Sequence, residues 1–348
     1  MKRLVQGNEA IFLGAIEAGA NFFAGYPITP SSEILVLAAE RAAKDPSFKF
    51  IQSEDEIAAA NAIMGASLAG AKSFTATAGP GFSLMQEAIG YGHQVEIPTV
   101  IINGQRVGPA TGMPTMPAQG DILQSRYGSS GDYFPIVFYP GSVAECYRYT
   151  IISFNAAEES LSPVILLSDA FLSHLNEVVD LESIKLEIVP RSRPPLGTGQ
   201  RTFTGLTHDE EGRARTADAE AHRQWYYKTK ERNIKVAAKY PDFELSGNKQ
   251  SDTLLISSGI VSRVISPLGS EFALFRPIRI FPMLGTELRQ IADKYKTIAV
   301  IEANDGQYAS LVETELHRDV VRVPILGGRI NLELAKEGLK QSLGREVS

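Results

Sequence analysis

Residues 48–78 read FKFIQSEDEIAAANAIMGASLAGAKSFTATA. Two short apolar runs, FKFIQ and SFTATA, flank a long Ala-rich helical stretch, the order expected of parallel strands joined by a helical crossover. The alternation continues outward through the strand candidates TVIIN (99–103), PIVFY (135–139) and PVILLS (163–168), with GSVAECYRYTIISFNAAEES (141–160) as a further helix. Near-continuous apolar strands of this kind predict a parallel α/β sheet covered on both faces. The pattern changes near Leu181. Residues 191–212, RSRPPLGTGQRTFTGLTHDEEG, are rich in Pro and Gly and lead into a polar helix candidate, ADAEAHRQWYYKTKERNIKVAAKY (217–240). A second α/β unit begins at DTLLISSG (252–259) and runs through PIRIFPML (277–284), TIAVIEAN (297–304) and VVRVPIL (320–326). The sequence therefore predicts two parallel-sheet α/β domains, 1–190 and 251–348, with 191–250 as a connector that contains one polar helix.

The 348 residues, 44% apolar and 21% charged, have the composition of a globular chain with a sizeable core. A net charge of -6 without a basic block argues against nucleic acid or an anionic membrane as a main partner. No apolar run reaches membrane-spanning length, and Glu9 and Glu17 interrupt the N-terminal stretch where a signal peptide would be apolar, so the cytoplasm is the expected compartment. Cys146 is the single cysteine, which excludes an internal disulfide and an iron–sulfur cluster held by this chain alone. His93, His174, His208, His222 and His317 are scattered without metal-ligand spacing, and no G-x-S-x-G elbow is present.

Four stretches carry candidate chemistry. In NFFAGYPITPSSEILVLAAE (21–40), an aromatic-glycine turn precedes Pro27 and Pro30, which stiffen the bend that carries Thr29; Ser31 or Ser32 is placed to cap a helix from Glu33. A hydroxyl positioned ahead of a helix is useful to a ligand, although ordinary turn chemistry also accounts for the pattern. Ser53 and Glu56 have capping-box spacing, which gives Glu56 a structural reading beside a catalytic one. Gly79, Pro80 and Gly81 lie between a strand and a helix, where the backbone can approach a ligand or simply turn. After TVIIN, a long loop carries Arg106, Thr111 and Thr115, and an arginine there can grip an anion with two parallel hydrogen bonds.

Taken in order, GYPITPSSE, SEDEIAAANAIMGAS, TATAGPGFSLMQEAIG and NGQRVGPATGMPT resemble the α subunits of 2-oxoacid:ferredoxin oxidoreductases, most closely the 2-oxoglutarate type. The resemblance implies a pyrimidine-binding domain of the thiamine diphosphate enzymes followed by a transketolase C-terminal-like domain. It also implies that Tyr26, Pro27, Ile28 and Thr29, with Gly79, Pro80 and Gly81, line the cofactor. In this family Glu56 would hydrogen-bond the aminopyrimidine, with Glu54 as the alternative, while Thr29, Arg106 and Thr115 would meet the 2-oxoacid. No G-D-G motif for magnesium and diphosphate is present. The implied β subunit would supply Mg2+ and an iron–sulfur cluster, share the thiamine diphosphate and complete a heterotetramer that uses coenzyme A and ferredoxin. The same chemistry on pyruvate or branched-chain 2-oxoacids, and a scaffold that keeps the fold without catalysis, are the competing expectations.

Overall fold

A computed structural model describes residues 2–191, 193–198, 202–240, 243–344 and 347; positions 192, 199–201 and 241–242 of the expected connector lie outside the described residues. The larger sheet runs, from one edge to the other, Arg279–Phe281, Ile136–Phe138, Pro163–Asp169, Thr99–Val107, Ser73–Thr77, Phe22–Gly25 and Lys49–Gln52. All neighbours are parallel except Arg279–Phe281, which runs antiparallel to Ile136–Phe138. Ser73–Thr77 and Pro163–Asp169 are buried along their whole length, as two-sided helical cover requires. The second sheet has the order Phe243–Gly247, Ala273–Pro277, Thr253–Ile256, Thr297–Glu302, Val321–Pro324, with only the first strand antiparallel.

Alternating side chains divide the first sheet between two cores. Phe23, Phe74, Val100, Ile102, Val164 and Leu166 pack under the helices Gly7–Glu17 and Val143–Ser160. Ile101, Ile165 and Leu167 face the other way, where Ile63 and Met64 of the helix Glu56–Leu68 join them. That second core does not stop at the first sheet. It includes Leu254, Phe275, Leu288 and Ile298, so the two units share one continuous apolar interior.

Two expectations are corrected. The stretch NFFAG is not a turn: Phe22–Gly25 is an interior strand between Lys49–Gln52 and Ser73–Thr77, and the turn residues begin after it. The motif PIRIFPML does not extend the second sheet; its Arg279–Phe281 segment crosses to the edge of the first. The expected helix is present at Ala219–Ala237, capped by Asp218, and it packs on the first unit: Trp225, Val236 and Ala237 are buried and Asn233 Nδ2 donates to Phe134 O at 2.7 Å. No helix among the described residues is long and apolar enough to cross a membrane.

Candidate active site at the strand ends

Parallel strands bring their carboxyl ends to one side of a sheet, so the segments that follow Gly25, Gln52, Thr77 and Asn103 meet there. The bend after Gly25 is held from three directions. Asn8 Nδ2 donates to Pro30 O at 2.7 Å and to Glu33 Oε2 at 2.8 Å, and Arg106 Nη1 donates to Thr29 O at 2.6 Å. Ser31 occupies the N-cap position of the helix Ser32–Lys44 but its hydroxyl donates to Thr77 O at 2.8 Å, tying the bend to the neighbouring strand instead of capping. A methyl at Gly104 would stand 2.7 Å from Ser31 Oγ and 2.9 Å from Pro30 Cγ, so only glycine lets the bend lie on this strand. Thr29 and Ile28 are half-buried, while Tyr26 and Pro27 are exposed.

The helix Glu56–Leu68 is capped by Asp55, whose carboxylate accepts from Ala58 N at 2.7 Å. The expected Ser53–Glu56 box is therefore corrected, because the cap falls two residues after Ser53 and Glu56 is the first helical residue. Its side chain is buried, 6% exposed, whereas Glu54 points into solvent. A Cβ at Gly81 would collide with the Glu56 carboxylate and the Thr77 hydroxyl. The glycine of this turn thus admits a carboxylate. Gly79 and Pro80 open the short helix Gly79–Leu84 that follows.

Arg106 is not in a loop. The strand runs on to Val107, and Met113–Pro117 returns along it antiparallel, so the expected long loop shrinks to a tight turn. Arg106 is 7% exposed, and its Nε has no hydrogen-bond partner among the described residues. Burial pushes its guanidinium below the ordinary value, and the charges of Asp121 and Glu56 pull it back. Thr115 sits exposed on the return strand.

Asp121, Asn103 and Gln105 complete the neighbourhood and were not singled out from the sequence. Asn103 Nδ2 donates to Asp121 Oδ2 at 2.9 Å, and Asp121 N donates to Gln105 Oε1 at 3.1 Å. Burial raises the Asp121 carboxyl above its usual range, against the Asn103 hydrogen bond and the Arg106 charge. Nothing in local spacing pairs Asp121 with Asn103 and Gln105 beyond an intervening hairpin. Two clefts, of about 210 and 330 Å³, lie elsewhere, one lined by Glu145, Ser257 and Arg276 and the other by Glu96, His208 and Trp225. The site instead presents an open face. Beside it, the helix Glu56–Leu68 leaves Ile57 48% exposed, and a Cβ on Gly65 would meet nothing. His93 is buried against Tyr133 and titrates down near 3, chiefly through burial, and among the described residues no three potential metal ligands gather.

These features define an α/β protein of two fused units with a buried acid and a buried arginine at an open strand-end site. Residues 13–244 match the family model described as pyruvate flavodoxin/ferredoxin oxidoreductase, thiamine diphosphate-binding. The chain is 38% identical to the 2-oxoglutarate synthase subunit KorA of Methanothermobacter marburgensis, over 94% of this chain and 95% of that protein. It is 41% identical to the subunit of the same name from Archaeoglobus fulgidus, over 89% and 90%. A solved structure of the 2-oxoglutarate:ferredoxin oxidoreductase from Magnetococcus marinus with 2-oxoglutarate, coenzyme A and succinyl-CoA bound superimposes with a TM-score of 0.91 at 29% identity, over 98% of this chain. The present chain spans 65% of the length of that one. The chain belongs to the pyruvate flavodoxin/ferredoxin oxidoreductase family.

Proposed function

We propose that this chain is the α-type subunit of a 2-oxoglutarate:ferredoxin oxidoreductase. With a β subunit it performs the oxidative decarboxylation of 2-oxoglutarate, with coenzyme A, to succinyl-CoA and carbon dioxide, and the electrons pass to ferredoxin. The observation that carries this reading is that Glu56 and Arg106 are both buried at the strand-end side of the first sheet, Glu56 without a capping task and Arg106 on a strand instead of in a loop.

The chain's donors fit the aminopyrimidine end of thiamine diphosphate. Glu56 is uncommitted to its helix, Gly81 leaves the room its carboxylate needs, and Asn103 Oδ1 and Arg106 Nε are buried polar atoms without partners among the described residues. In this reading Glu56 holds the ring and moves a proton at its carboxylate oxygen, while Tyr26, Pro27, Ile28, Thr29, Gly79, Pro80 and Gly81 line the cofactor. When bound, thiamine diphosphate supplies the nucleophilic carbon and the electron sink for decarboxylation. The Arg106 fork grips the substrate carboxylate, and the Thr29 and Thr115 hydroxyls donate to the acid. Mg2+ and the iron–sulfur cluster are assigned to the β chain in a cytoplasmic heterotetramer, in which residues 1–190 carry the pyrimidine site and 251–348 support it.

The test is to purify the chain with its co-expressed β subunit and measure turnover of 2-oxoglutarate, pyruvate and branched-chain 2-oxoacids with coenzyme A and a one-electron acceptor. 2-Oxoglutarate should be preferred. Arg106→Lys keeps the charge but loses the planar fork, so kcat/KM should fall at least about tenfold, roughly 1.4 kcal/mol of transition-state binding. A preference for pyruvate would move the substrate assignment; a complex inert toward every 2-oxoacid would overturn the function.

A further inference from the structure

Asn8, the second residue of the helix Gly7–Glu17, is fully buried and lies outside the four stretches that carry the site. A buried amide is costly unless both of its ends are bonded, and Asn8 Oδ1 has no hydrogen-bond partner among the described residues. The Nδ2 end offsets this. Its two hydrogens go to Pro30 O at 2.7 Å and Glu33 Oε2 at 2.8 Å. Both partners are acceptors, so turning the amide over would set its oxygen against two others. Asn8 therefore has one orientation, and that orientation serves the bend.

The seat of Asn8 comes from another strand end. Gly7 N donates to Leu175 O at 3.0 Å, and a Cβ on Gly7 would stand 1.9 Å from Leu172 O, so the helix starts hard against the short helix Ala170–His174 that follows Pro163–Asp169. His174 of that short helix stands with Nε2 3.4 Å from Glu33 Oε1, the carboxylate oxygen that Asn8 does not use. One element thus places Asn8 directly and steadies its second acceptor.

At the bend, Thr29 O accepts from Arg106 Nη1 at 2.6 Å and Pro30 O accepts from Asn8. These carbonyls belong to the two peptide planes on either side of Pro30. The proline ring fixes φ, so ψ of Pro30 is the torsion left free between the planes, and the Asn8 bond fixes it. Without that bond the plane beyond Pro30 can turn, and the segment that carries Thr29 loses its seat beside Gly104.

We infer that Asn8 is a positioning residue of the active site: by donating to Pro30 O, with its amide oriented by Glu33, it aims the Thr29 hydroxyl at the ligand. The inference rests on the reading of Thr29 as a ligand contact.

The experiment measures kcat/KM for 2-oxoglutarate in the complex with the β chain. Asn8→Ala and Glu33→Ala are assayed alone and combined with Thr29→Val, which removes the hydroxyl and keeps the branched shape. Thr29→Val alone should lower kcat/KM at least about tenfold. Asn8→Ala should also lower it at least about tenfold, yet change it by less than about twofold when Thr29→Val is already present, because a missing hydroxyl cannot be misplaced. A role confined to stability would reduce activity by the same factor in both backgrounds. Glu33, its side chain 43% exposed, supplies a second cycle should Asn8→Ala fail to fold. Glu33→Ala frees the amide to turn and should lower kcat/KM about threefold, again only where Thr29 is intact. Equal factors in the two backgrounds, or wild-type activity in Asn8→Ala, would overturn the inference. Wild-type activity in Thr29→Val alone would instead overturn the reading of Thr29 on which it rests.

Discussion

The carboxylate of Asp55 accepts the Ala58 amide, which leaves the Glu56 carboxylate, one residue on, without a capping task. A buried acid that serves neither cap nor core has a reason to be retained only if something else uses it. The two neighbours should therefore separate cleanly under mutation. Asp55→Ala removes the cap and should cost about 1 kcal/mol of stability with most of the turnover retained. Glu56→Gln keeps shape and burial but cannot exchange a proton, so turnover should vanish while the unfolding midpoint hardly moves. Denaturant unfolding and single-turnover assays on the two variants measure this, and near-normal turnover in Glu56→Gln would take the acid's role away from it. Glu54, exposed, does not compete on burial.

At the scale of elements, the strand Pro163–Asp169 ends in an acid that is entirely buried. Asp169 Oδ1 accepts from Phe171 N at 3.0 Å and Leu172 N at 2.9 Å, which starts the helix Ala170–His174, and Oδ2 accepts from the Tyr139 hydroxyl at 2.8 Å. Burial outweighs these bonds and raises its carboxyl from 3.8 to about 6. The folded chain then keeps a proton that the unfolded chain has released, so this group's contribution is full below about pH 4 and is lost as pH rises through 6. At neutral pH the loss is on the order of 3 kcal/mol. Asparagine keeps the Oδ1 acceptor and cannot ionise. Relative to wild type, Asp169→Asn should gain stability between pH 5 and pH 7.5, read from urea unfolding at the two values; a pH-independent difference would mean that the acid is ionised without penalty. Taking the difference between the two proteins cancels other buried acids, such as Glu302, whose carboxyl burial also raises.

For the whole molecule, the shared core, the crossing of Arg279–Phe281 into the first sheet and the hydrogen bonds of Gln119 to Ser258 and Ala303 all join units that the chain order separates. Such coupling predicts a single cooperative transition, with far-UV circular dichroism and the fluorescence of Trp225 coinciding, although one probe reports on the first unit and the other on both. Two resolved transitions would show that the interface is dispensable. A chain ended at residue 250 should fail to fold natively, because it lacks an edge strand and the part of the shared core that Leu254, Phe275 and Leu288 supply.

By itself the sequence determined the layered α/β class, strands within 48–52, 73–78, 99–103 and 163–168 and the segments that carry Thr29, Glu56 and Arg106. These are legible because a strand buried on both faces needs an unbroken apolar run and a helix after it needs a start signal, and both are written in contiguous residues. Tertiary structure alone decided that NFFAG is an interior strand, that Arg106 lies in a hairpin, that Asp55 caps in place of Ser53, that Asp121 bonds to Asn103 and Gln105, and that Gln119 bonds to Ser258 and Ala303 of the other unit. Each of these depends on a partner far along the chain or on a choice between adjacent polar residues, and a pairing between distant segments leaves no period in either one.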